Sequence, residues 1–391
     1  MTIDPRISAI AQEATEWRHD FHAHPELLYD LDRTSARVAD LLRQFGCDEV
    51  VTGLGRTGVV GLVHGANRTA NRAIGLRADM DALPIEEATG AAYASRTPGR
   101  MHACGHDGHT AMLLGAAKHL AANRAFNGSV AFIFQPAEEG GAGAKAMIDD
   151  GLFTRFPIDE VYGMHNKPGL AVGEFTIRSG AVMASMDRIE IEIDGVGGHA
   201  ARPQFAIDPV IVGAQIITAL QTIVSRRLDP LDSAVVSITT FNAGSAFNVI
   251  PQTARLVGTA RALSPGVRDQ LERQIEELAT HIAKAHGATA RVTYGRGYPV
   301  TVNHAEQTTF AADTAASLIG DDKVDRDLAP MMGAEDFAYM LQERPGSIIF
   351  LGNGDSAGLH HPRYDFNDAA IPYGISYWTR LVERALPQEK R

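Results

Sequence analysis

Nine consecutive residues, Met101-His102-Ala103-Cys104-Gly105-His106-Asp107-Gly108-His109, carry one thiol, three imidazoles and a carboxylate. Cys104 and His106 lie two apart, so in an extended segment both side chains project to one side and can meet at one centre. Thiolate with imidazole favours zinc, and carboxylates joining them would also admit manganese or cobalt. A helix beginning after His106 would place its N-terminus beside Cys104 and favour the thiolate. Read alone, the same residues could be a Cys–His nucleophilic pair, or a structural cysteine among surface histidines. More donors are needed to choose.

The segment Gln135-Pro136-Ala137-Glu138-Glu139-Gly140-Gly141 supplies two. It follows an apolar strand, and in α/β sheets sites form at the carboxyl ends of strands. Neighbouring extended residues point opposite ways, so Glu138 and Glu139 should do different jobs: one binds metal while the other serves as general base. As a bland alternative, the pair could be a solvated turn. His165 sits in a further apolar strand, Val161-Tyr162-Gly163-Met164-His165. Leu359-His360-His361-Pro362 offers a last candidate in a loop after a buried strand. Asp79, in Arg77-Ala78-Asp79-Met80-Asp81, also ends a strand and could orient a ligand histidine from behind. Together these segments bring ligand types to what would be one edge of one sheet.

The elements that must position these donors are read from periodicity. Residues 33–45 place Val38, Leu41, Leu42 and Phe45 on one helical face, with Gly46 as a stop. Short apolar strands at 59–64, 73–78, 129–135 and 160–165 alternate with helices at 107–122 and 142–149, the rhythm of an α/β unit with a mostly parallel sheet. The pattern changes near residue 185. Ile189, Ile191 and Ile193 alternate with Glu190, Glu192 and Asp194, as in an antiparallel strand with one wet face. A helix at 208–228, strands at 234–242 and 253–262, a helix at 265–286 and a strand at 289–295 complete the β-α-β-β-α-β order of a ferredoxin-like α+β unit. After 295 the α/β composition returns, with a buried strand at 347–351 and a closing helix at 372–386. The expected organisation is a catalytic domain built from 1–184 and 296–391, interrupted by a lid over 185–295.

Composition narrows the function. The 391 residues suggest more than one core, and 45% apolar with 21% charged residues is ordinary for a globular protein. A formal net charge of −11 opposes nucleic-acid and anionic-membrane surfaces. No apolar run approaches the ~18 residues of a membrane span. Residues 1–16 read as a polar amphipathic helix without a signal-peptide core. Two cysteines, Cys47 and Cys104, make a disulfide framework implausible and fit a cytoplasmic protein.

The set RADMDALPIEE, MHACGHDGHT, FQPAEEGGAGA, GMHN, GGHAARP, MGAEDFAYML and LHHP resembles the dizinc aminoacylase and carboxypeptidase family, peptidase M20. It is most similar to the branch of hippurate hydrolases and indole-acetyl-amino-acid hydrolases, over nearly the whole chain. The resemblance implies two divalent metal ions, zinc or manganese, held by Cys104, His106, Glu139, His165 and His361. Glu138 would be the general base. It also implies a lid histidine, His199, that stabilises the oxyanion, in some relatives from a partner subunit, and Asn248 and Arg261 as grips on the substrate carboxylate. The implied substrate is a small N-acyl amino acid, and the implied assembly is a homodimer through the lid. Two departures fall in the lid: Asn242–Asn248 lacks the paired glycine usual before the asparagine, and Gln252 replaces a common acidic residue. A dipeptidase, carboxypeptidase or N-acetyl-diaminopimelate-type deacetylase on this scaffold, a Cys104 thiol hydrolase and a non-catalytic binding protein are the rival readings.

Overall fold

In the computed structural model, residues 3–388 are described, and the chain divides into two compact units. The first comprises 1–180, 302–329 and 339–391; the second comprises 181–301 and 330–338. The expected bounds at 184/185 and 295/296 therefore move a few residues outward. A short stretch near 335 joins the second unit, which local periodicity could not reveal.

The first unit is built on an eight-stranded sheet. Its order is Glu49–Leu54, Gly58–His64, Ser129–Gln135, Ala73–Asp79, Glu160–Pro168, Gly346–Gly354, Phe175–Thr176, Val324–Asp325. The four strands from Ser129–Gln135 to Gly346–Gly354 run parallel to one another, and the antiparallel pairings lie to either side of them. Ala73–Asp79 is buried at every position and Val130–Gln135 likewise, as strands covered on both faces must be. The helix His106–Ala122 is apolar over Ala111–Ala117 and buried along almost its whole length, so it packs as a core element, with Pro5–Ala23 and Ile371–Ala385 against it. The N-terminal helix runs Pro5–Ala23, longer than expected, because Trp17, Arg18, Phe21 and His22 continue its buried face. Of the residues assigned to that helix from sequence, Met1 and Thr2 lie outside the described set.

The second unit has a four-stranded antiparallel sheet ordered Ala234–Ala243, Thr253–Ala262, Asp187–Asp194, Thr289–Arg296. Helices Pro209–Thr222 and Pro265–Ala285 pack against it. Ile189, Ile191 and Ile193 join Val212, Ile216, Leu256, Leu271 and Ile275 in a separate core. Asp208 and Ser264 cap the two helices by accepting from Val210 N and Val267 N. Element order and strand order are those of the expected ferredoxin-like unit. The first helix continues as a π-turn over Ile223–Arg227, so that Pro209–Arg227 is long and apolar enough by composition to cross a membrane, contrary to expectation. Its apolarity has a local use: Val212, Ile216, Leu220 and Ile223 are buried in the unit's core.

Candidate active site

The four neighbouring parallel strands carry the donors at or just beyond their carboxyl ends. Ala73–Asp79 leads to Asp79 and Asp81, Ser129–Gln135 to Glu138 and Glu139, Glu160–Pro168 carries His165, and Gly346–Gly354 precedes the loop to His360. Cys104 and His106 arrive from the N-terminus of the helix His106–Ala122. Between them Gly105 has φ +91°, and a Cβ there would collide with Asn166 Nδ2 and Tyr364 Oη. Only glycine lets the chain turn so tightly between two donors.

The donor atoms converge. Cys104 Sγ lies 3.5 Å from His165 Nε2, and His106 Nε2 lies 3.9 Å from Glu139 Oε1. Three triads, Cys104/His106/His165, Cys104/Glu139/His360 and His106/Glu138/Glu139, each have donor atoms within 4.8 Å of one another. They overlap at Cys104, His106 and Glu139, which makes one continuous cluster. His361 is not part of it. Its Nδ1 accepts from Arg363 N at 3.0 Å, whereas the neighbouring His360 brings Nε2 to 3.2 Å from Glu139 Oε1. The expectation of His361 is corrected to His360: the backbone takes a left-handed turn, φ +65°, at His360. That reversal determines which of two adjacent rings faces the glutamates.

The rings are oriented by backbone. His106 Nδ1–H donates to Asp81 O at 2.8 Å and His165 Nδ1–H donates to Asn166 O at 2.7 Å, which leaves each Nε2 lone pair toward the cluster. His106 Nε2 is buried and has no hydrogen-bond partner among the described residues, and Glu139 Oε1 is met only by the donor ring of His360. Such a buried orphan costs about 1–3 kcal/mol, and a divalent cation satisfies it. The residues present therefore fit a metal pair. Burial pushes the Cys104 thiol up, against the influence of His106, so the helix terminus alone does not give the thiolate expected from sequence. A bound cation reverses that direction; a free thiol nucleophile has no such help.

Asp79 does not bond His106 directly, being 3.6 Å from its Nε2. Its Oδ1 lies 2.6 Å from His109 Nδ1, and Arg77 donates to Oδ2 at 2.8 Å. His109 also accepts from Asn166 N at 2.9 Å, so both of its nitrogens are occupied. His102 is buried outside the donor triads, and burial lowers its pKa to about 3. Asp81 was missed in the sequence. Its two oxygens accept from Glu138 N at 2.9 Å and Glu139 N at 3.1 Å, so one carboxylate sets the turn that carries both glutamates. Its place two residues beyond Asp79 was the available signal. Asn166 was also passed over; its side chain donates to Cys104 O at 2.6 Å and accepts from Tyr364 Oη at 2.7 Å.

In the second unit, His199 is exposed and pairs with Val249 in a two-stranded ladder, and Ala200 N donates to Asn248 O at 3.0 Å. The structure thus brings His199 and Asn248 together. His199 Nδ1 accepts from Ala201 N at 3.0 Å, so the neutral ring carries its proton on Nε2 and can donate it outward. Gln252 accepts from Gly197 N at 3.0 Å and donates to Gly195 O, clamping the turn before His199. A carboxylate there could only accept, which gives the departure from the family pattern a structural role. Arg261 is half-buried in the four-stranded sheet, paired with Val235. It makes no ion pair among the described residues, and partial burial lowers its pKa. Eight residues of strand separate it from Thr253, roughly 26 Å at ~3.3 Å per residue, so it is remote from the His199–Asn248 pair.

Comparison with known proteins fits this geometry. The pattern of Peptidase family M20/M25/M40 matches residues 75–384. The chain belongs to that family. It is 43% identical over 386 residues to the hippurate hydrolase of Campylobacter jejuni, covering 99% of this chain and 100% of that one. It is 41% identical over 367 residues to the N-acetyl-L-cysteine deacetylase of Bacillus subtilis, covering 93% and 86%. The crystal structure of Bacillus subtilis YXEP, a dinuclear metal-binding peptidase of the M20 family, superposes with a TM-score of 0.85 at 35% identity, covering 97% and 99%. This M20 member is accordingly a metal-dependent hydrolase acting on amide bonds.

Proposed function

We propose that the chain hydrolyses the amide bond of small N-acyl-L-amino acids, releasing a carboxylic acid and a free amino acid. The observation that carries this reading is the overlapping donor cluster, with the unpartnered buried Nε2 of His106, beside Glu138. The relatives support the substrate class: hippurate, N-acetyl-L-cysteine and IAA–amino acid conjugates, in the names of similar hydrolases, are all N-acylated amino acids. Cys104, His106, Glu139, His165 and His360 would hold two divalent cations, zinc or manganese, which acidify water and polarise a carbonyl.

Glu138 takes a proton from the attacking water and returns it to the leaving nitrogen. Asp81 fixes Glu138 through its backbone amide. His199 Nε2–H donates to the carbonyl oxygen as it gains charge, and such a donor is worth about 3–4 kcal/mol in comparable sites. Arg261 and Asn248 take the amino-acid carboxylate, fixing orientation. On this reading His199 and Asn248, side by side at the two-stranded ladder, reach each site from a second subunit, while Arg261 on the four-stranded sheet serves its own chain. A homodimer through the second unit goes with this: its edge strand Ala234–Ala243 is largely exposed toward its C-terminal end, and Phe205, Ile211, Phe247 and Val249 are exposed apolar residues of the same unit. A cytoplasmic location goes with its two unpaired cysteines.

The test is a panel of N-benzoyl, N-indole-acetyl and N-acetyl amino acids, assayed before and after chelation and with Zn²⁺ or Mn²⁺ restored. The expected outcome is turnover that disappears on stripping and returns with metal. Full rates in metal-free protein would overturn the reading.

A further inference from the structure

Residues 84–100 form a loop without helix or strand, closed at its base where Leu83 and Met101 exchange backbone hydrogen bonds of 2.9 and 3.0 Å. Loops of this length are uncommon unless they serve a function or are disordered, and this one is tied down on both sides. On one side, Glu87 Oε1 lies 3.3 Å from His22 Nε2, and Arg96 N donates to Ala23 O at 2.9 Å, both on the helix Pro5–Ala23. On the other, Ala88 N donates to Pro362 O at 2.8 Å and Tyr93 Oη donates to Asp365 Oδ2 at 2.7 Å. That second side is the segment that carries His360.

His22 is the buried centre of that connection. Its ring is fully enclosed, with Nδ1 2.8 Å from Asp107 Oδ2 and Nε2 facing Glu87. Ionised carboxylates only accept, so an imidazole between two of them donates from both nitrogens and carries a positive charge. Asp107 directly follows the donor His106, and Arg18 Nη1 reaches it at 3.4 Å. Glu87 is held from its far side too, because its Oε2 accepts from Ser95 N at 2.6 Å. The path therefore runs from Asp107 through His22 to Glu87, and through Ala88 to Pro362, two positions past His360. His360 N itself donates to Ala103 O at 2.8 Å, so the loop and the residue before Cys104 hold this donor between them.

We infer that His22 and Glu87 are positioning residues for His360: their charge-assisted pair fixes the loop whose amide holds the His360 segment. This rests on the proposed reading in which the donor cluster holds two cations. His360 is the donor that needs such support. Its side chain is 53% exposed and its backbone takes a left-handed turn, whereas Cys104, His106 and His165 are buried. Replacing His22 by a neutral residue removes the partner that Asp107 and Glu87 share and leaves buried charge uncompensated. The loop, which no helix or strand braces, is then the part that gives way.

The test counts bound Zn²⁺ by elemental analysis as the full chain is titrated with a chelator, with circular dichroism reporting the fold. His22→Gln and Glu87→Ala should each hold one cation as wild type does and the other about tenfold more weakly, the low end for residues standing behind a ligand. In a His360→Ala background neither substitution should weaken binding further, since the ligand they position is gone. His119→Gln is the control: it changes a buried histidine about 20 Å farther along the helix His106–Ala122, at ~1.5 Å per residue, and should leave both affinities unchanged. Glu87→Ala serves alone should His22→Gln not fold. Wild-type affinity for both cations in the folded variants, an equal loss in His119→Gln, or a further tenfold loss beyond that of His360→Ala overturns the positioning role alone. A wild type that binds no cation overturns the metal-centre reading, and the positioning role falls with it.

Discussion

In the first unit Cys104, His106, Glu138 and His165 are buried, and backbone hydrogen bonds fix the orientation of both imidazoles. In the second unit His199 and Asn248 are exposed on a two-stranded ladder, and Phe247 between that ladder and the sheet is wholly exposed. The first arrangement is finished within one chain, since its donors already face one another. The second presents groups outward with nothing in their own unit to act on. On the proposed function, pre-organised and recruited groups sit in different units, and variants should separate them.

Glu138→Gln should be the most damaging. Turnover is expected to fall by about 10³-fold, within the range for losing a general base, with metal content unchanged by elemental analysis. Loss of metal in that variant would make Glu138 a ligand and blur the division of labour between the glutamates. Next, His360→Ala should lose most of one bound cation along with activity, whereas His361→Ala should keep both. The reverse result would restore the reading from sequence.

The second unit is probed by mixing. His199→Ala and Arg261→Ala homodimers should each be nearly inactive, yet dissociated and reassembled together they should recover about a quarter of wild-type activity, since half the dimers are mixed and each carries one intact site. If His199 serves its own chain, no activity returns.

The smallest effect is on stability, and it lies on the first unit's side of the comparison. His22 is buried 2.8 Å from Asp107 Oδ2 and 3.3 Å from Glu87 Oε1. Burial opposes its charge, but the two carboxylates prevail and raise its pKa to about 9. A raised histidine stabilises fully below its unfolded value of about 6.5, and that stability is lost as pH rises through about 9, at most about 3 kcal/mol. Melting temperatures across this window should fall for wild type and stay flatter for His22→Gln. Parallel curves would remove His22 as the cause.

Much of this was legible because it is periodic or dense. The Ile189–Ile193 alternation announced an antiparallel sheet, and thiol, imidazole and carboxylate crowded into Met101–His109 announced donors. What escaped was whatever depends on a single backbone turn or a distant contact. Two adjacent histidines at 360 and 361 look alike in sequence, and one left-handed residue decides between them. Asp81 acts through amide hydrogens 57 and 58 positions away, which no local pattern encodes. Asp79 was read as orienting a histidine without saying which: its hydrogen bond goes to His109, whereas His106 turns its Nδ1 to a main-chain oxygen.

That last arrangement has a wider consequence. Since Asp81 and Asn166 steady the imidazoles of His106 and His165 with peptide carbonyls, which every amino acid possesses, replacing either side chain leaves the acceptor in place. The aim of the two rings is thus buffered against point changes, although the side chains of Asp81 and Asn166 still hold Glu138, Glu139 and Cys104. Neighbouring positions can drift and remodel the substrate cleft while the rings keep their aim, which is one physical route by which a single scaffold comes to serve many different conjugates.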